Sequence, residues 1–413
     1  MKRWTGIILL AWICLLLSGC DFWLNGSYSS VTPNQGNTTA GNQEDEEIYS
    51  YRDLREAMED TVEMGVQKVT FSASRFDAQT LESYMQRVTE HIITNNPVGN
   101  FAVEQISYDV GSSGGRQAIG VNITYSRTKA EILGMPVVAD MDEAVKQIQN
   151  ALASCEASLV MRVQAYEQMD IVQMVQSYGA QNPHICVEIP QVSVSTYPES
   201  GIDRVVELSF VYKNSREVLR SMQQTVQDSF TAAQKSLKAE DTALAKIGKL
   251  YTYVMERHEN TMGTSITPAY SVLRYGVGDS KAFAEVYAAL GRWVGLDCET
   301  ITGTQNGEAW CWNVICIDGA YYYLDLVQCW KSQTYQLKTF DQMTGYVWDY
   351  SAYGEDGPPA GEQIPTEPTE EIRSPEEEAE GETLPQEPIP SEESTTPPQE
   401  PAPTEEIPTD TPE

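Results

Sequence analysis

The chain has 413 residues, of which 60 are acidic and 27 are basic, and its formal net charge is −33 at pH 7. Such a charge leaves no basic patch for phosphate groups, and it excludes nucleic acid as an expected partner. The hydrophobic content of 41% is sufficient for buried cores, and this length is typical of roughly two or three domains.

Residues 1–20 have the pattern of a bacterial signal peptide, in which two basic residues precede the apolar run 7–17. The run is too short for a permanent membrane span. The "LSGC" that follows resembles the lipobox of bacterial lipoproteins. This resemblance implies cleavage before Cys20 and acylation of Cys20, which would anchor the chain in the lipid bilayer at the extracytoplasmic face of a bacterial cell membrane. An ordinary signal peptide with a chance cysteine is the alternative.

A flexible linker and a duplicated unit are predicted next. Residues 21–47 are rich in Ser, Asn, Gly and Thr, as linkers are. Residues 48–135 and 136–222 each show the order helix, strand, helix, strand, strand. Their last strands, "GVNITYSRTKAEI" and "ELSFVYKNSREVL", place Tyr125 over Tyr212. We expect two tandem α+β repeats with a scaffold or ligand-binding role, because neither contains a nucleophile with a base.

Residues 223–354 are predicted to form the last folded domain. A long helix is expected from about residue 216 into the 230s. The stretch "GVGDSKAFAEVYAALGRWVG" predicts a buried helix, since its apolar residues follow helical spacing. Ser280, alone or together with Asp279, is the expected N-terminal cap of this helix, because Ser and Asp are preferred there.

An antiparallel hairpin is predicted in "WCWNVICIDGAYYYLDLVQCW". Asp318-Gly319 between two β-rich runs favours a two-residue turn. This turn sets the register of the two strands and places Trp312 opposite Asp325. Trp310 then becomes a diagonal neighbour of Asp325, at about 7–8 Å between backbones and within reach of a long side chain.

The order of these motifs is similar to that of the transglutaminase-like superfamily, which has a papain-like fold. The similar stretches are "GVGDSKAFA", "GLDCETITG", "WNVICIDGAYYYLD" and "DQMTGYVWDYSAYG", within roughly residues 240–354. In that family a Cys at a helix N-terminus is the nucleophile, a His on a following strand is the base, and an Asp orients the His. The resemblance implies an α+β, cysteine-protease-like core and acyl transfer from a carboxamide or peptide carbonyl to an amine or water.

Two of the three triad positions carry other residues in this chain. Ser280 occupies the Cys position and Trp310 the His position, and only Asp325 is kept. A serine hydroxyl needs an adjacent base, whereas an indole N–H is only a donor and cannot accept a proton. We therefore expect a degenerate triad without catalytic residues or a cofactor, in a protein that binds a protein or cell-wall partner.

Several neighbours of the motif are further candidates. Trp310, Trp312 and Asn313 are expected to line the former cleft, as packing or as a surface for a sugar or peptide. Cys311 is a candidate displaced nucleophile, although its strand parity directs it to the face opposite Trp310. His258 could supply a base only by an unusual approach. A divergent peptidase, amidase or protein-crosslinking acyltransferase of the same superfamily is the main alternative function, and a structural spacer at the cell surface is the third.

Metal binding is not expected. The four cysteines of the last domain include no CxxC pair, and the three histidines of the chain have no ligand spacing. Six cysteines remain after Cys14 and Cys20 are set aside, and the roughly 15 pairings that six cysteines allow stay open.

Residues 355–413 are predicted to be a disordered, acidic Pro/Glu/Thr-rich tail. Its portion 357–413 holds 16 Glu, one Asp, one Arg and 14 of the 21 prolines of the chain. Almost no apolar side chain is present to offset the entropy of ordering such a segment. A solvated spacer or terminal bristle is its expected role, and a specific docking tail is the alternative.

Overall fold

The computed structural model of the protein describes residues 46–113, 116–258 and 263–351. The predicted signal peptide 1–20 with its lipidation site Cys20, the linker as far as residue 45, and the predicted tail 355–413 lie outside the described residues.

The chain divides into two compact units. Among the described residues, the first unit contains 46–232 and 263–275, and the second contains 233–258 and 276–351. Both units combine helices with sheets, so the predicted α+β class is confirmed. Within the part of the chain that is described, no helix is both long and apolar enough to cross a membrane.

The first half of the first unit is a four-stranded sheet covered by helices. Its elements in chain order are β1 (Glu46–Glu47), α1 (Tyr51–Glu63), β2 (Lys68–Ser72), α2 (Ala78–Thr94), α3 (Pro97–Ala102), β3 (Val103–Ser113), β4 (Arg116–Tyr125) and α4 (Lys129–Gly134). The strand order is β1-β2-β4-β3, with β1 parallel to β2 and the other neighbours antiparallel. Helix α1 begins after the cap Ser50 and buries Leu54, Met58 and Val62 on one face.

The second half of the first unit has the same arrangement. Its elements are β5 (Val137–Asp140), α5 (Met141–Ala153), β6 (Ser158–Ala165), α6 (Ile171–Gln181), β7 (Gln191–Tyr197), β8 (Arg204–Val211) and α7 (Arg216–Lys235), whose last residues belong to the second unit. The order β5-β6-β8-β7 and the strand directions repeat those of the first sheet. Each half therefore begins with a short strand that was not predicted from the sequence.

An arginine joins the two halves of the first unit. Arg162 on β6 donates to both carboxylate oxygens of Asp203, at 3.0 and 2.8 Å, and to Glu63 at the end of α1, at 2.8 Å. Its side chain is only 18% exposed. The hydrogen bonds to Asp203, and then those to Glu63, raise the pKa of Arg162 against the effect of burial. One largely buried cation is thus held by an acid from each half.

We predict that Arg162→Ala lowers the free energy of local opening at β6 by about 1–3 kcal/mol, because two partly buried carboxylates lose a charged donor. Hydrogen exchange of peptides from β6 and β8 measures this opening. The matched control is Arg52→Ala, which breaks a pair whose side chains are 77% and 51% exposed and is expected to change stability by less than about 0.5 kcal/mol. Equal exchange in the two variants would contradict the role given to Arg162.

The second unit is built on a four-stranded antiparallel sheet and a buried helix. Its elements are α8 (Ala243–Met255), α10 (Ser280–Trp293), β9 (Asp297–Gln305), β10 (Glu308–Ile317), β11 (Ala320–Leu324), α11 (Leu326–Lys331), a 3-10 turn (Phe340–Gln342) and β12 (Tyr346–Val347); the intervening α9 (Pro268–Tyr275) belongs to the first unit. The strand order is β11-β10-β9-β12. Phe283 and Tyr287 of α10 are fully enclosed, and Tyr287 donates to the carbonyl of Ile247 on α8 at 2.8 Å.

The predicted hairpin turn is confirmed, but its second strand is shorter than predicted. Asp318 and Gly319 have φ values of +52° and +84°, as a two-residue turn requires, and β10 pairs with β11 in the predicted register. However, β11 ends at Leu324, so the predicted pairing of Trp312 with Asp325 is wrong. Asp325 instead caps α11 by accepting the N–H of Gln328 at 2.9 Å. The capping interaction turns the chain out of the sheet at Asp325, whereas strand pairing alone would have continued the second strand beyond this residue.

Candidate functional site

Ser280 is the first residue of α10 and not its cap. The cap is Asp279, whose carboxylate accepts the N–H of Ala282 at 2.8 Å. The prediction that Ser280 caps the helix is therefore wrong. Both residue types favour the cap position, but it is Asp279 whose backbone has the extended conformation of a cap. The Ser280 side chain is buried at 7% exposure and is free to serve another partner.

That partner is the neighbouring strand. In a two-residue hairpin the residues beside the turn form a hydrogen-bonded pair, and every second residue points its N–H toward the partner strand. Ile317 flanks the turn, so Cys311 points its N–H toward β11. Since β11 ends at Leu324, opposite Asn313, no β11 residue lies beside Cys311. Ser280 Oγ accepts the Cys311 N–H at 3.2 Å and replaces the missing strand acceptor.

Trp310 and Asp325 meet, as the predicted register suggests. Trp310 Nε1 donates to Asp325 Oδ2 at 2.7 Å. The same oxygen accepts the hydroxyl of Tyr346 at 2.8 Å, and Oδ1 accepts the N–H of Gln328 at 2.9 Å. The carboxylate is 4% exposed and is therefore enclosed by donors from β10, α11 and β12.

The electrostatics of this cluster follow from its burial. Burial raises the pKa of Asp325, while the three hydrogen bonds oppose that rise because they favour the ionised form. Burial and the adjacent Asp325 raise the pKa of Tyr346, so its hydroxyl stays protonated and donates. The cluster therefore holds one carboxylate among three donors, and the side chain at position 310 has no acceptor atom for a proton.

Trp312 and Asn313, which the sequence suggested as cleft-lining residues, are fully enclosed. Trp312 packs edge-on against Tyr346, with ring centroids 5.0 Å apart. Asn313 Nδ2 donates to the carbonyls of Ala284 and Glu299, at 2.8 and 3.2 Å. Asn313 thus joins the sheet to α10, whereas Trp312 packs in the cluster with Tyr346 and Trp348. Neither side chain presents anything to solvent. Of the three candidates, only Trp310 is partly exposed.

Cys311 and His258 do not complete a catalytic pair. Burial raises the pKa of the Cys311 thiol, whose Sγ lies 3.5 Å from Thr302 Oγ1. His258 Nδ1 lies 3.0 Å from the carbonyl oxygen of Gly276, and the ring packs between Phe283 and Trp330. Burial lowers the pKa of His258, which favours its neutral form. Among the described residues, no hydrogen bond joins this imidazole to Ser280, Cys311 or Asp325.

No clustered ligand set supports a metal in this region. Within residues 46–113, 116–258 and 263–351, no group of three or more His, Cys, Asp or Glu side chains is arranged to hold a metal ion. The cysteines there are present as free thiols, and most are buried.

The sequence did not single out Tyr346 or Gln328 as parts of the site. Tyr346 lies in the closing stretch "DQMTGYVWDYSAYG", which resembles the family, but no spacing rule distinguishes it from the other aromatic residues there. Gln328 contributes a backbone N–H, which any residue except proline would provide. Asp279 was predicted as a cap only together with Ser280.

Comparison with known proteins identifies the class of this domain. Residues 230–336 match the transglutaminase-like superfamily, so this segment is a transglutaminase-like domain. No curated protein matches the sequence.

Two solved structures show distant similarity. One, described as a TGase, is 9% identical to this chain and has a TM-score of 0.21; the alignment covers 60% of that structure and 50% of this chain. The other is a candidate protease from Parabacteroides distasonis that is 10% identical to this chain and has a TM-score of 0.20; the alignment covers 39% of that structure and 62% of this chain. This chain thus spans less than two thirds of either structure. The assignment of the domain rests on the family match.

We predict that Trp310→Phe lowers the free energy of unfolding of the second unit by about 1–3 kcal/mol, because a buried carboxylate loses one of its three donors while ring volume is largely kept. Urea unfolding followed by tryptophan fluorescence measures this, since the tryptophans of the described residues all lie in the second unit.

The control for this substitution is Trp293→Phe, because Trp293 is 41% exposed and its Nε1 contacts Gln234 Oε1 at 3.2 Å near the surface. We expect this change to stay within about 0.5 kcal/mol. If the two variants lose the same stability, the Trp310–Asp325 hydrogen bond does not have the role assigned to it.

Proposed function

We propose that this protein is a membrane-anchored extracytoplasmic lipoprotein whose transglutaminase-like domain has a degenerate triad and is non-catalytic. It would bind a protein or cell-wall partner. The observation that supports the loss of catalysis most directly is the hydrogen bond from Trp310 Nε1 to Asp325. It commits the only N–H of the indole to the acid, at the position where the family has its base.

The chemistry of acyl transfer explains why this observation matters. The nucleophile must lose a proton, and a serine hydroxyl loses its proton only to an adjacent base. Trp310 cannot accept the proton, and Asp325 is already surrounded by three donors. Ser280 itself accepts the N–H of Cys311 and supports the sheet. Each residue at a triad position therefore has a structural partner that does not depend on turnover.

The membrane anchor and the partner are supported by other features. The "LSGC" stretch at Cys20 supports lipidation and an extracytoplasmic location. A binding role is supported by Trp310, which stays partly exposed beside a cation: Lys331 Nζ lies 4.9 Å from the centroid of its ring.

We predict that the purified protein incorporates no primary amine into a glutamine substrate, releases no ammonia and forms no adduct with an acyl-enzyme trap, because no base activates Ser280. Mass spectrometry of the trapped protein measures adduct formation. The Ser280→Ala variant is the reference. An adduct that forms on the natural protein and disappears in this variant would show that the domain is a divergent enzyme.

We predict that restoring the family residues restores nucleophile activation. In a Ser280→Cys/Trp310→His double variant, Asp325 would orient the imidazole and the helix N-terminus would favour the thiolate, so that residue 280 should react with iodoacetamide at pH 6 about tenfold faster than in Ser280→Cys/Trp310→Phe. Peptide mapping separates this thiol from the other cysteines. Equal rates in the two variants would mean that position 310 does not correspond to the base of the family.

A further inference from the structure

An aromatic surface lies on the sheet face that carries Trp310. We define the C-terminal aromatic surface as Trp310, Phe340, Trp348 and Tyr350. Trp348 contacts Phe340 and Tyr350 with ring centroids 5.6 Å apart in each case, and Phe340 lies 5.3 Å from Tyr350. Tyr350 is 39% exposed, and the other three rings are partly buried. The surface therefore offers ring faces and edges to solvent.

Gly303 makes room for the buried indole against which this surface packs. It lies opposite Trp310 in the ladder between β9 and β10. A Cβ atom at this glycine would lie 3.0 Å from Trp348 Cβ and 2.8 Å from Trp312 Cη2. The absence of a side chain therefore leaves space for the ring of Trp312, which is fully enclosed. Trp310 and Trp348 both pack against the buried cluster that contains Trp312.

Two lysines lie over aromatic rings at or beside this surface. Lys331 Nζ lies 4.9 Å from the centroid of Trp310, and Lys338 Nζ lies 5.1 Å from that of Tyr346. Within the described residues neither ammonium group is in an ion pair. Lys338 also interacts electrostatically with the buried Asp325 and helps to lower the pKa of that carboxyl against the effect of burial. Both lysines can therefore receive a carboxylate from elsewhere.

We propose that the C-terminal aromatic surface is the docking site of the chain's own Pro/Glu-rich segment, residues 357–413. Aromatic-lined grooves recognise proline-rich segments in the polyproline II conformation, because proline rings stack on aromatic faces and little entropy is lost. The segment has 14 prolines and 16 glutamates. Its prolines match the partly exposed rings of the C-terminal aromatic surface, and its carboxylates match Lys331 and Lys338.

The position of the segment in the chain favours it over a separate partner. Pro358 is eight residues beyond Tyr350, a tether that reaches at most about 28 Å. A short tether of this kind gives an effective concentration in the millimolar range, so an intrinsic Kd of about 1 mM is enough to dock the segment about half of the time. A separate acidic chain lacks this advantage.

Docking of the segment does not depend on the loss of catalysis. It needs the ring surface and the lysines, and an active enzyme could have the same contact. The test of docking therefore measures binding and not activity. A negative result would count against docking alone and would leave the non-catalytic assignment unaffected.

The experiment uses the full chain with a site for a sequence-specific protease inserted after Asp356. The indole N–H signals in ¹H–¹⁵N spectra are recorded before and after cleavage, and are assigned with single Trp→Phe variants. At 20 µM protein, cleavage should reduce docking from about one half to about 2% for a Kd of about 1 mM. The signals of Trp310 and Trp348 should then move, whereas that of Trp293, which lies outside the aromatic surface, should not.

Two further measurements decide the source of any change. Lys331→Glu/Lys338→Glu in the uncleaved chain should give the Trp310 and Trp348 signals of the cleaved protein, and millimolar peptide 357–413 should reverse the effect of cleavage on the natural sequence. Identical spectra before and after cleavage would overturn the proposal. A second outcome would also overturn the proposal. If the Trp310 and Trp348 signals do not change on cleavage but shift when a proline-rich peptide of another sequence is added, the surface binds a separate partner.

Discussion

The carboxylate of Asp325 is the point at which the second unit is tied together. It accepts hydrogen bonds from the indole of Trp310 on β10, the backbone of Gln328 in α11 and the hydroxyl of Tyr346 on β12. A buried anion is very costly unless donors compensate it, so all three elements must meet at this position. The same requirement ends β11 at Leu324, since Asp325 caps the following helix.

Under the proposed function, the residues that the family resemblance aligns with an acyl-transfer triad make structural contacts instead. In the family an acid orients a histidine, whereas here Asp325 accepts a hydrogen bond from an indole that has no acceptor for a proton. Ser280, which the resemblance aligns with the nucleophile, accepts an N–H that the shortened β11 leaves without a strand partner. Both substitutions are thus compatible with a stable fold, which is what a domain retained for binding would need. This is the physical basis of the proposed non-catalytic function.

The sequence predicted those features that depend on local rules. Helical spacing indicated α10 as a buried helix, and Asp318-Gly319 predicted the hairpin and its register. The register in turn brought Trp310 near Asp325. Features that depend on competition between rules were missed. Strand pairing would have continued through Asp325, but helix capping prevailed there. Asp279 and Ser280 have similar cap preferences, and only the folded chain shows that Asp279 has the extended backbone of the cap.

Burial at the site was harder still to predict from the sequence. Trp312 is enclosed because Gly303 leaves room for its ring and Trp348 covers it. Those residues lie on different strands, and no spacing in the sequence relates them. Tyr346 became part of the site for the same reason, since β12 returns beside β9 only in the folded domain. The resemblance to the family indicated the candidate site, and tertiary packing determined the contacts that its residues make.

The most direct measurement of the central claim is the hydrogen-exchange rate of the Trp310 indole N–H in the intact protein. If this group is committed to Asp325, it should exchange at least about tenfold more slowly than that of the 41% exposed Trp293, a difference that corresponds to about 1.4 kcal/mol. The protection should disappear in Asp325→Ala. If the Trp310 N–H exchanged as fast as the Trp293 N–H, the account would be contradicted, because the indole of Trp310 would then not be held by Asp325.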